Sequence, residues 1–214
     1  MSNQWQIQPN DLMATGPLVP VLVINDVADA LPIAEALLAA DIKVLEITLR
    51  TQAALGAIEI IAKNLPEAIV GSGTVTNRAL LQASADAGAK FAISPGLTSD
   101  LLTAGKEGNV ALLPGISTIS ELMTGLDHGY DHFKFFPAEA SGGPSALKAI
   151  GGPLPDVRFC PTGGISMQNI QNHLALPNVM CCGGSWLVTN DICKNGDWSQ
   201  ITKIAKESLA FING

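Results

Sequence analysis

Apolar residues in this chain follow two spacings that alternate from end to end. Short continuous runs bounded by Gly, Pro, Asn or Asp read as buried strands. Stretches with apolar residues three and four apart read as amphipathic helices. The runs predict strands over residues 19–24, 44–50, 68–75, 91–95, 111–116, 132–137, 157–162 and 179–183. The helical spacing predicts helices over 27–40, 52–64, 77–88, 98–107, 118–128, 145–150, 166–174 and 198–212, and a short helical stretch at 10–16 before the first strand. Asn25-Asp26 and Asn77 stand where side-chain N-caps belong.

Eight strand–helix units in series with no linker predict a (β/α)₈ TIM barrel, a single α/β domain over residues 1–214. The leading helical stretch then covers the N-terminal mouth of the barrel. Composition supports this: charged residues are 14% and hydrophobic residues 47%, as strands buried on both faces require. The competing fold is an open doubly wound sheet. Gly71-Ser72-Gly73 follows a strand, but residue 76 is Thr, so the dinucleotide fingerprint fails.

Charge and cysteine usage narrow the function. A net charge of −7 and the lack of any Lys/Arg run argue against nucleic-acid binding. No apolar stretch is long enough to span a bilayer, and residues 1–10 lack the basic-then-apolar shape of a signal peptide. A cytoplasmic protein is expected. Cys160, Cys181, Cys182 and Cys193 show no C-x-x-C spacing and read as small buried hydrophobes. His128, His132 and His173 have no metal-ligand spacing, so no metal is expected.

The candidate chemistry sits in residues 132–137, where one lysine, Lys134, interrupts an apolar aromatic run. Burying an ammonium is costly, and a lysine that sheds its proton is a nucleophile. Alternatively, Lys134 snorkels from the strand end or pairs with a carboxylate. Strand parity favours chemistry. In the second strand Glu46, Thr48 and Arg50 share one face, and Leu45, Ile47 and Leu49 suit the helix layer. The same parity turns Lys134 and Phe136 inward in the sixth strand, Ser72 and Thr74 in the third, and Cys160 and Thr162 in the seventh. Gly142-Gly143, Gly163-Gly164 and Gly183-Gly184-Ser185 follow the last three strands. In such barrels the loops after strands seven and eight often hold phosphate through backbone N–H groups.

Residues 46–51 (EITLRT), 71–75 (GSGTV), 93–96 (ISPG), 114–118 (PGIST), 133–140 (FKFFPAEA), 158–165 (RFCPTGGI) and 183–186 (GGSW) resemble the bacterial 2-keto-3-deoxy-6-phosphogluconate (KDPG) and 4-hydroxy-2-oxoglutarate (KHG) aldolases. The resemblance runs in register from about Gly16 to the last helix. It implies a trimeric class I aldolase that needs no metal or other cofactor. By resemblance, Lys134 is the Schiff-base lysine and Glu46 the general acid/base. Arg50 and Thr74 hold the pyruvate carboxylate, and Pro95 and Phe136 form the pocket wall. Thr162, Gly163, Gly164, Gly184 and Ser185 form the distal, phosphate end. Ser72 stands where the family often has alanine, and Cys182 where it has a larger aliphatic residue. The sister aldolase for the galactonate epimer lacks the Thr-x-Arg column, so Thr48 and Arg50 favour the gluconate substrate.

Two other readings fit the barrel. One is a metal-independent phosphosugar isomerase or epimerase using Glu46 and Lys134 as proton carriers. The other is a non-catalytic sugar-phosphate-binding barrel, for which an inward Glu, Thr and Arg facing an inward Lys is a costly arrangement.

Overall fold

The structure, a computed structural model, describes residues 4–214. Residues 1–3, the start of the N-terminal stretch read above for targeting, lie outside the described residues. Among the described residues the strands are β1 (Leu18–Leu22), β2 (Val44–Thr48), β3 (Ile69–Gly73), β4 (Phe91–Ile93), β5 (Ala111–Leu113), β6 (Gly115–Ile116), β7 (His132–Phe135), β8 (Arg158–Pro161) and β9 (Cys182–Gly184). The helices are α1 (Pro9–Ala14), α2 (Ala30–Leu38), α3 (Ala54–Asn64), α4 (Arg78–Asp86), α5 (Ser99–Glu107), α6 (Ile119–Asp127), α7 (Gly143–Gly151), α8 (Ile170–Leu174), α9 (Asn190–Asn195) and α10 (Trp198–Asn213). Strand and helix alternate along the chain except at β5–β6 and α9–α10, and every strand pairing is parallel.

The strands form a six-stranded sheet, ordered β5-β4-β3-β2-β1-β9, and a three-stranded sheet, β6-β7-β8. The expected strand at 111–116 is split at Pro114. Proline has no N–H to give a ladder, so the chain changes partner there. On one side Leu113 accepts from the N–H of Ser94, and on the other the Pro114 carbonyl accepts from the N–H of Lys134 at 3.0 Å. Isolated parallel bridges, Phe159 with Val179 and Thr162 with Gly183, link β8 to the segment that becomes β9.

Alternation along the strands sorts the interior into two layers. Leu45, Ile47, Val70, Phe133 and Phe135 pack with the inner faces of the helices. Val19, Val44, Phe91, Ile93, Leu113 and Cys160 point the other way and pack on one another, with Leu12 and Met13 of α1 joining them. The α1 stretch thus contributes two fully apolar anchors to the space between strands. Helix starts follow side-chain chemistry. Asn77 Oδ1 accepts the N–H of Leu80 at 2.9 Å. At α6, Thr118 and Glu121 form a reciprocal capping box. Burial works against the Glu121 charge, but hydrogen bonds from Ser117 and Thr118 outweigh it and hold the carboxyl below its ordinary range.

Three expectations shift. The helix expected at 27–40 begins as a 3₁₀ turn at Val27–Asp29 and ends at Leu38, and Asp41 beyond it takes a φ of 62°. The helix expected at 166–174 is regular only over Ile170–Leu174. Helix α9 is additional: Thr189 caps its start and Gly196, at φ 64°, closes it, and six residues are too few to show a hydrophobic period.

The cysteines behave as buried hydrophobes. Cys160, Cys181 and Cys182 are buried, and Cys193 is half-buried. A hydrogen bond with Cys160, burial and the neighbouring Cys160, Cys182 and Glu46 push the Cys181 thiol well up, and burial foremost raises Cys182. The thiolate is the reactive form. Brief iodoacetamide treatment of the folded protein is therefore expected to label Cys193 alone, and slowly, because burial raises that thiol too. Peptide mass mapping checks this, and label on Cys160 or Cys181 would show that the interior opens.

Candidate active site

Strand β2 brings Glu46 to a position 1% exposed, and β7 brings Lys134 to one 6% exposed. Lys134 Nζ donates to Glu46 Oε1 at 3.2 Å, across 88 residues of sequence. The ammonium nitrogen also lies 5.3 Å from the centroid of the Phe136 ring. A buried pair of this kind gains little stability over an apolar pair of the same shape, because both ions lose hydration. Its chemical content is a nucleophile with a proton acceptor already in reach.

Glu46 fits only because β3 has glycine opposite it. A Cβ on Gly73 would collide with the Glu46 carboxylate. The same geometry corrects the third strand. Gly71 and Gly73 face the interior, where an added Cβ would meet Phe91 and Glu46, so Ser72 between them faces the helix layer with Val70. Ser72 is fully buried and its Oγ has no partner among the described residues. Thr74 reaches the pocket by a different route: its φ of 62° breaks the alternation. A β-branched residue in that region costs on the order of 1–3 kcal/mol, and such strain gathers at functional sites.

The pair opens into a cavity of about 300 Å³ lined by Val21, Glu46, Thr48, Arg50, Thr74, Pro95, Lys134, Phe136, Thr162, Gly163, Gly164, Ile165, Gly183 and Ser185. The structure brings ten of the eleven sequence-predicted site residues together here, namely Lys134, Glu46, Arg50, Thr74, Pro95, Phe136, Thr162, Gly163, Gly164 and Ser185. Gly184 is the exception. A Cβ there would strike the Trp186 ring, so Gly184 turns to that side and its neighbour Gly183 lines the cavity. Two lining residues, Val21 and Ile165, have no role in the sequence reading, and Gly183 is read there only as part of the loop after the eighth strand. Val21 shares the parity of Val19 on β1, so strand alternation could have found it.

The polar lining divides into ends. Arg50, just past β2, is exposed at the mouth, with no ion-pair partner among the described residues. Thr48 from the same column is committed to the framework: its Oγ1 donates to the carbonyl of Leu22 on β1 at 2.7 Å. Across the cavity, Thr162 Oγ1 is buried without a partner, and Gly163 and Gly164 take φ of 100° and 78°. Among the described residues, no group of three or more His, Cys, Asp or Glu side chains is placed to hold a metal ion.

A lysine amine against a buried carboxylate, at the C-terminal ends of parallel strands, with an arginine at the rim, is equipment for covalent carbonyl chemistry. The sequence model of the KDPG and KHG aldolases matches residues 10–204. The chain is 60% identical over 214 residues to the 2-dehydro-3-deoxy-phosphogluconate aldolase of Pseudoalteromonas atlantica, covering 100% of both chains. It is 55% identical over 205 residues to the KHG/KDPG aldolase of Escherichia coli, covering 96% of each. Among solved structures it matches the KDPG aldolase of Legionella pneumophila, which holds pyruvate captured at low pH as a covalent carbinolamine intermediate. That match has a TM-score of 0.94 and 49% identity, covering 96% of this chain and 100% of the other. The chain belongs to the KDPG and KHG aldolase family.

Proposed function

We propose that this chain is a metal-independent class I aldolase that cleaves 2-keto-3-deoxy-6-phosphogluconate to pyruvate and glyceraldehyde 3-phosphate through an imine on Lys134. It also cleaves 4-hydroxy-2-oxoglutarate to pyruvate and glyoxylate. The observation that carries the reading is the 3.2 Å approach of Lys134 Nζ to Glu46 Oε1 inside the cavity. The proposed frame is one domain closed as a (β/α)₈ barrel with α1 over its N-terminal mouth. The single-residue break at Pro114, the bridges from β8 toward β9 and the shared inner cluster that includes Leu12 and Met13 support it.

In this mechanism the free amine of Lys134 attacks C2 of the keto acid, and Glu46 relays the protons that turn the carbinolamine into an iminium ion. Arg50 binds the substrate carboxylate as a fork, with Thr74 beside it. Glu46 then takes the C4 hydroxyl proton, directly or through water. The C3–C4 bond breaks, its electron pair enters the iminium, and the aldehyde half leaves. Glu46 returns a proton to C3 of the enamine, and water releases pyruvate from Lys134. Pro95 and Phe136 wall the reacting carbons. Thr162 serves the distal hydroxyls, and Gly163, Gly164 and Ser185 serve the phosphate. Gly184 belongs to the same loop, with its Cα turned to Trp186 and Gly183 facing the cavity.

Among the described residues no helix is long and apolar enough to cross a membrane; the cytoplasm is the proposed location. A homotrimer follows from the family resemblance. Ile119 and Met123, one turn apart on α6 and 41% and 56% exposed, offer an apolar spot for a second copy.

The two ends of the pocket separate in one experiment. Arg50→Ala is expected to damage cleavage of both substrates, because both carry the keto-acid carboxylate. Ser185→Ala is expected to damage chiefly the phosphorylated substrate, by roughly 1.5–3 kcal/mol for one charge-assisted hydrogen bond, on the order of 10- to 150-fold in kcat/KM. Steady-state kinetics on both substrates at one pH checks this. Equal losses for Ser185→Ala would move Ser185 to the reacting centre, and a loss confined to the phosphorylated substrate for Arg50→Ala would reverse the pocket.

A further inference from the structure

Glu139 and His173 lie outside the reacting centre, yet Glu139 touches the Gly163-Gly164 loop at the distal end of the pocket and also the glycine that starts α7. The N–H of Glu139 donates to the carbonyl of Gly163 at 3.1 Å, tying Glu139 to the loop after β8. Gly164 lies directly over the Glu139 side chain: a Cβ there would stand 2.8 Å from its Cβ and Cγ. On the other side a Cβ on Gly143, the first residue of α7, would stand 3.0 Å from Oε1 of Glu139. The side chain, 40% exposed, forms a wedge between the Gly163-Gly164 loop and the start of α7.

His173 on α8 holds the wedge in place. Its side chain is 0% exposed, and its Nε2 lies 2.7 Å from Oε1 of Glu139. A carboxylate only accepts, so the ring N–H donates. The other ring nitrogen, Nδ1, is buried and has no partner among the described residues. An imidazole with one nitrogen unsatisfied is a costly way to fill an apolar space. The bond to Glu139 is what this ring supplies that an apolar ring could not. It also draws the carboxylate toward α8, and Glu139 is absent from the cavity lining. Released, that charge would stand beside loops that must accept an anion.

We infer that Glu139 and His173 are a positioning pair that fixes the Gly163-Gly164 loop against the start of α7 and so sets affinity for the phosphate end of the substrate. The inference rests on the reading of that loop as the phosphate end. His173→Phe keeps a buried ring and removes the donor. His173→Gln places an amide N–H near the former Nε2, and Glu139→Gln keeps an acceptor.

The test measures KM and kcat of wild type and the three variants on 2-keto-3-deoxy-6-phosphogluconate and 4-hydroxy-2-oxoglutarate, with borohydride trapping of pyruvate as a check on the reacting centre. For His173→Phe, KM for the phosphorylated substrate should rise roughly tenfold, the scale of one hydrogen bond to a charged group. Its kcat, its kinetics on the short keto acid and its pyruvate trapping should stay at wild-type level. His173→Gln and Glu139→Gln should recover most of the loss. An equal loss on both substrates, or none, overturns the pair as a positioning device. Inorganic phosphate separates this failure from failure of the underlying reading. If it competes with the phosphorylated substrate in wild type while His173→Phe changes nothing, only the pair is refuted. If it does not compete in wild type, the loop is not a phosphate site and the inference falls with it.

Discussion

Lys134→Arg is expected to abolish both aldol cleavage and covalent capture of pyruvate. Arginine keeps a positive charge beside Glu46, so the buried carboxylate retains an ionic partner. Removing that partner outright would cost about 3–5 kcal/mol and confuse the result with unfolding. A guanidinium stays protonated at any pH the enzyme meets and forms no imine. Turnover should therefore fall by roughly four orders of magnitude or more, the scale on which loss of a nucleophile acts. The measurement has two parts. Wild type incubated with pyruvate and borohydride should gain one reduced pyruvate unit, mapped by peptide mass to Lys134, and Lys134→Arg should gain none. Two other lysines are hydrogen-bonded elsewhere: Lys90 Nζ donates to the carbonyl of Ala68 at 2.8 Å, and Lys106 Nζ to that of Gly129 at 2.6 Å. An adduct on any of these, or continued trapping in Lys134→Arg, would overturn the imine on Lys134. Activity should also survive exhaustive chelation, and loss restored by a divalent ion would replace the imine with a metal-assisted mechanism.

Strand parity made the contact between Lys134 and Glu46 legible. A strand's side chains alternate, and a carboxylate that shares a face with Thr48 and Arg50, opposite three large aliphatics, has one place to point. Strand β7 obeys the same rule, so Lys134 meets Glu46 from 88 residues away. Parity failed where the backbone leaves the strand. Thr74, expected inward together with Ser72, does enter the pocket, but through its φ of 62° and not through alternation, and Ser72 faces the helices because Gly71 and Gly73 occupy the inner face. Gly183 and Gly184 are indistinguishable as letters. Which one faces the cavity is decided by Trp186, whose ring fills the space beside Gly184. The break at Pro114 is written in the sequence, but the change of strand partner it produces depends on where β4 and β7 end. The bond between His173 and Glu139 is not legible in the sequence: Glu139 falls in the 133–140 block, but nothing marks His173, 34 residues away on a five-residue helix, as its partner.

Glu46→Gln tests the other half of the pair. Glutamine is nearly isosteric and preserves a hydrogen-bonding oxygen toward Lys134, so the 1%-exposed site should remain filled. What it lacks is a basic oxygen. Each step assigned to Glu46 moves a proton, and removal of a positioned acid/base typically costs ~10²–10⁴-fold in rate. Cleavage of both substrates should fall by that factor, with little change in pyruvate affinity, because Arg50 and Thr74 still hold the carboxylate. A reaction that omits the aldehyde isolates one of these steps. In D₂O the enamine of pyruvate on Lys134 picks up deuterium at its methyl carbon, and proton NMR follows the exchange without any bond cleavage. If Glu46 carries the proton to C3, Glu46→Gln should slow this exchange in parallel with cleavage, while prolonged borohydride treatment still traps pyruvate on Lys134. Exchange at the wild-type rate with cleavage impaired would restrict Glu46 to the C4 hydroxyl and require another group at C3. Unchanged kcat would remove Glu46 from acid/base catalysis altogether, leaving the 3.2 Å contact as a structural ion pair.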